Sequence, residues 1–124
     1  MSHEIETLID HSDQELFREI GRTIGAKKFG AGSLSEDDLE EDGRDWLTRH
    51  RAEVAKAVCG SHAVKLYLES ERAKDRVLLV ASIADLIISL IGGTGGIAVA
   101  VLVVREGLET LCQKMKGVGN LDGD

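Results

Sequence analysis

The sequence predicts an all-α protein, a small bundle of about four to five helices with a C-terminal apolar helical hairpin. Proline is absent, so fourteen glycines supply the only strong punctuation and long helices separated by glycines follow. Aromatic residues make up 3% of the chain against 43% apolar in all, which leaves Val, Leu, Ile and Ala to build a core of helix on helix. Apolar residues also recur at three- and four-residue steps behind serines placed to cap helices.

The first helical signal is Ile5, Leu8 and Ile9, a short turn before a stronger start. Ser12-x-x-Glu15 has the form of a capping box, in which the serine oxygen accepts from a free helical N–H and the glutamate reaches back to the serine. Leu16, Phe17, Ile20 and Ile24 then share one face, and Gly25 is the expected stop. Residues 26–34 combine glycines with little periodicity and are expected to form a hinge loop.

Ser35 can cap the next helix, whose first turn, Glu36-Asp37-Asp38, sets acids against the positive end of the helix dipole. Leu39, Trp46, Leu47, Val54 and Val58 give its buried stripe, while Gly43 leaves open whether it is one helix or two. Gly60 and Ser61 separate it from a segment leading through a charged collar, residues 69–76, into an apolar stretch over residues 77–104.

That stretch contains no Lys or Arg, and from Val77 to Ile91 only Ser82, Asp85 and Ser89 are polar. A turn is expected at Gly92-Gly93-Thr94-Gly95-Gly96, making a hairpin of two buried helices. The run Ile97-Ala98-Val99-Ala100-Val101-Leu102-Val103-Val104 also suits a buried strand. Helix is preferred because Leu108 and Leu111 continue the face of Ile97, Val101 and Val104 toward Lys114 and Lys116. The expected organisation is a single helical domain over 1–116, divided into N-terminal amphipathic helices (1–25), the hinge (26–34) and the main helices with the hairpin (35–116), followed by a disordered tail (117–124).

Net charge is −7, with fourteen acids against eight bases in residues 1–60 and eight against seven thereafter. No segment supplies the basic face that phosphate neutralisation needs, so nucleic acid is not an expected partner. The start of the chain has no basic region followed by an apolar one, so a cytoplasmic location is expected. Cys59 and Cys112 form no CxxC pair and are expected as two separate reduced core thiols, with no disulfide framework.

No catalytic constellation is evident. Gly93-Thr94-Gly95-Gly96-Ile97-Ala98 fits G-x-G-x-x-A, but no further strand with a terminal acid follows, so a helix–helix turn is the better reading. Asp38-x-Glu40-x-Asp42-Gly43 imitates half a calcium loop, whose twelfth position would be Arg49 in place of a bidentate glutamate. His50, Cys59 and His62 lack the spacing of a zinc finger, and Cys59-Gly60-Ser61-His62 sets a thiol beside an imidazole only in sequence. No metal and no cofactor is expected.

Asp85 stands amid aliphatic residues, a costly place for a carboxylate unless it meets water or a partner such as Arg105 or Lys65. The expected function is a non-enzymatic protein–protein interaction module, an adaptor or small subunit that meets a partner or a second copy through the hairpin. Trp46, Asp85, Gly92, Gly96, Ile97, Val101 and Val104 are the candidate interaction residues. The alternative is a membrane-active protein whose residues 77–104 insert into a bilayer, since that stretch exceeds the roughly 20 residues a span requires.

Overall fold

The computed structural model describes residues 2–28, 35–62, 64, 76–108 and 110–112, and within them every regular element is helical. The elements are α1 (Ser2–Leu8), α2 (Asp13–Lys28), α3 (Glu36–Cys59), α4 (Arg76–Leu86) and α5 (Gly93–Glu106). The fold class is all-α. The expected tail at 117–124, the collar and most of the hinge loop lie outside the described residues.

Local chemistry sets the helix starts. The Ser12 hydroxyl accepts from the Glu15 amide at 3.2 Å, while the Glu15 carboxylate accepts from the Ser12 amide at 3.4 Å and its hydroxyl at 3.1 Å. The Ser12 amide, then its hydroxyl, with smaller help from His11 and Arg18, hold the Glu15 carboxyl below its ordinary value of 4.5. A depressed carboxylate pKa stabilises the folded state above its unfolded value, and that stability is lost as pH falls through the folded value. The protection of the first-turn amides of α2, taken relative to the exchange of an unstructured chain at the same pH, is therefore expected to fall as pH drops below the usual carboxylate range. Ser12→Ala should abolish that acid dependence, and an NMR exchange series on both proteins checks it. Ser35 caps α3 in the same way, accepting from the Asp38 amide at 3.2 Å.

One glycine departs from the sequence expectation, and another settles a point the sequence left open. Helix α2 does not stop at Gly25, which is buried, but runs on to Lys28, so residues 26–28 of the expected hinge are helical. Helix α3 passes unbroken through Gly43. The cause is the antiparallel packing of α2 on α3: a Cβ on Gly43 would stand 2.0 Å from the Phe17 carbonyl oxygen, and one on Gly21 2.1 Å from that of Leu39. Both glycines let two backbones approach where any side chain would hold them apart. Arg18 reaches Glu36 at 3.7 Å and Glu40 at 3.6 Å across this contact, and Arg44 lies 4.4 Å over the Phe17 ring.

Helix α5 is the centre of the fold. Every residue from Gly95 to Val103 is buried, and α1, α2 and α4 all pack on it. Small residues permit this crowding: a Cβ on Gly95 would meet the Thr23 side chain at 2.5 Å. The preference for helix over strand at residues 97–104 holds. The turn, however, lies earlier than expected. The chain leaves helical geometry at residues 87–92, and Gly93, Thr94, Gly95 and Gly96 form the first turn of α5 behind an extended Gly92. Gly93 has φ of +62°, a left-handed conformation that glycine alone adopts without strain.

The far end of α5 also departs from expectation. Gly107, with φ of +103°, ends the helix at Glu106, so Leu108 and Leu111 are not on a continuation of its face. Both are buried all the same. Arg105 turns back to α1 and α2, donating to the Asp13 carboxylate at 2.7 Å, to the Ile9 carbonyl at 2.9 Å and to the His11 carbonyl. It thereby satisfies carbonyls left over where α1 ends.

Candidate interaction surface

Only part of the apolar stretch faces outward. Helix α4 buries Leu79, Val80, Ile83 and Ala84, and Ile87 just beyond it, while Leu78 is 49% and Ile88 63% exposed. Asp85 lies on the same outer side and is exposed, which removes the cost of an ionised carboxylate in an apolar segment. Its suggested partner Arg105 is engaged by Asp13 instead, and Lys65 lies outside the described residues. No polar or charged residue is buried among those described.

Beside Ile88 is an apolar hollow of about 70 Å³. Ala84, Asp85, Ile88 and Ile91 line it from the end of α4 and the turn, and Gly92, Gly93, Gly96 and Ile97 from the start of α5. Its glycines carry no side chain to fill it. It is far below the ~300–1,000 Å³ of a typical cofactor or small-molecule pocket, and suits a single aliphatic side chain.

The remaining candidate residues are scattered. Gly96, Ile97 and Val101 are buried in the chain's own core, and Gly92 and Val104 are half-buried. Trp46 is half-buried on α3 and stacks on His50, their ring centroids 4.3 Å apart, with the His50 Nδ1 2.8 Å from the Trp46 carbonyl. The structure therefore brings Asp85, Gly92, Gly96 and Ile97 to one hollow and leaves Trp46, Val101 and Val104 elsewhere. Ile88 was not singled out from the sequence, because its neighbours Ile87 and Ile91 are equally apolar and only the turn geometry turns it outward.

The weaker motifs resolve into ordinary structure. The half calcium loop is an uninterrupted stretch of α3, in which Glu40 pairs with Arg18 at 3.6 Å and Arg44 at 3.2 Å. The glycine motif joins two helices and follows no strand. Among the described residues no group of three His, Cys, Asp or Glu could hold a metal ion.

The two cysteines require a correction. Cys59 and Cys112 are not separate thiols but a disulfide, with Cα atoms 5.6 Å apart, joining the end of α3 to the segment after Gly107. The fold folds that segment back on α3, a contact across 53 residues that spacing alone does not reveal.

Among the described residues no helix is long and apolar enough to cross a membrane. Fourteen helical residues in α5 extend about 21 Å, short of the ~30 Å hydrocarbon layer. The chain matches no protein-family model, no curated protein and no solved structure.

Proposed function

We propose that this chain is a non-enzymatic protein–protein interaction module, an adaptor or small subunit, that associates with a second copy of itself through the outer side of α4 and the turn that follows. The observation that supports this reading is Ile88, a large aliphatic side chain 63% exposed on the rim of an apolar hollow of about 70 Å³. A patch that pairs with its own copy about a two-fold axis must carry a projection and a recess side by side. Ile88 is the projection and the glycine-floored hollow the recess. Each two-fold contact would insert two isoleucines and cover both hollows at once, with Leu78 adding apolar area farther along α4. A cytoplasmic location belongs to the same proposal, and there the thiol pool acts on the Cys59–Cys112 bridge.

Sedimentation of the full chain across a concentration series tests the reading. Wild-type protein is expected to dimerise, and Ile88→Ser to weaken the dimer by about a hundredfold or more, since each of two buried isoleucines is worth about 1.5–3 kcal/mol. The far-ultraviolet circular dichroism of the variant should be unchanged. A wild-type chain that stays monomeric throughout, or an Ile88→Ser dimer as tight as wild type, rejects this surface.

A further inference from the structure

We propose that the Cys59–Cys112 disulfide is a redox latch that holds the segment after α5 against the end of α3, and that reduction releases this segment while the rest of the bundle stays folded. Three features set the bridge apart from α5, although Leu108, Leu111 and Cys59 pack with the common core. Gly107, at φ of +103° and ψ of 122°, breaks the helix before the segment begins, so Leu108 and residues 110–112 do not continue α5. The ion pairs that fix the end of α5, Arg105 to Asp13 and Glu106 to Arg51, both lie on the body side of that break. Among the described residues beyond it, the Leu111 amide bonds to the Gly107 carbonyl at 3.1 Å, Leu108 and Leu111 are buried, and the disulfide ties Cys112 to Cys59.

Both half-cystines are partly exposed residues, and on this proposal the bridge is open to an external thiolate. A dithiol reductant supplies the electrons. Its thiolate attacks one sulfur of the bridge and displaces the other as a thiolate, which takes up a proton. The second reductant thiolate then attacks the mixed disulfide, leaving the reductant as a disulfide and Cys59 and Cys112 as two thiols. Cys59 is the last residue of α3, so the bridge is anchored at a helix end. A latch uses it as a bond to be opened. Opening would expose Leu108 and Leu111 and the part of the core they cover, a surface separate from the Ile88 patch.

Hydrogen exchange of the full chain, read by mass spectrometry with and without a phosphine reductant, tests this. Reduction is expected to speed exchange in a peptide covering residues 107–112 by about tenfold or more, as for a locally opened unit, while peptides from α2, α3 and α5 keep their protection. The double variant Cys59→Ser, Cys112→Ser should match the reduced protein and ignore the reductant. Loss of protection through all helices on reduction, or collapse of the double variant, would make the bridge a staple for the whole fold and overturn the latch. Unchanged exchange at residues 107–112 would overturn it equally.

Discussion

Gly43→Ala is expected to destabilise the protein by about 3 kcal/mol, near the upper end of what overpacking a tight contact costs. The sign is the informative part. In an exposed helix the same change would stabilise by about 1 kcal/mol, because alanine loses less backbone entropy than glycine. Here the new Cβ would fall 2.0 Å from the Phe17 carbonyl oxygen and 2.8 Å from its carbon, and backbone atoms have no rotamer into which to retreat. Helices α2 and α3 must move apart, and the Arg18 pairs with Glu36 and Glu40 and the Arg44 contact with the Phe17 ring lengthen as they do. Gly21→Ala should behave alike, and the two together should cost less than the sum, since one separation accommodates both methyl groups. Urea unfolding followed by circular dichroism checks this; a midpoint raised by Gly43→Ala would disprove the close backbone contact.

Ile83→Ala should lose about 3 kcal/mol, from the transfer free energy of the deleted carbons and the cavity they leave. Ile83 is fully buried on the side of α4 that faces the chain's own core. For a domain of this size such a loss lowers the melting temperature by roughly 10 °C. Ile88→Ser, only five positions on, should leave the melting temperature of the monomer nearly unchanged. Thermal melts of dilute protein separate the two faces: equal effects at both positions would mean that α4 does not dock on α5 as described.

The sequence was most legible where the chemistry is local. Ser12 with Glu15, and Ser35 with Asp38, lie within one turn of each other, so their residue types alone specify the caps. Glycines were the least legible, because the same residue ends a helix, begins one or lets two helices touch according to what lies opposite. Gly25 and Gly43 have the composition of breaks and sit inside helices; Gly107, inside an apparent helical face, is a true break. The apolar stretch was correctly read as two helices, yet its availability to a partner was overestimated. Three other helices pack on α5, in which Ile97 and Val101 are buried, and the outward side is left to Leu78, Asp85 and Ile88. The disulfide could not be read, since it depends on where Gly107 sends the chain.

The Arg105 contacts with Ile9, His11 and Asp13 join positions more than ninety residues apart, and α2 rests on α5 as well as on α3. On a ribosome the earliest helices therefore emerge long before the helix that buries them. Leu16 and Ile20 must wait, uncovered on the α5 side, until α5 has been synthesised, and the loop closed at that moment spans well over half the chain. A ribosome stalled before α5 would present α1 to α4 with their α5 sides uncovered, so the closing of this core waits on the synthesis of α5.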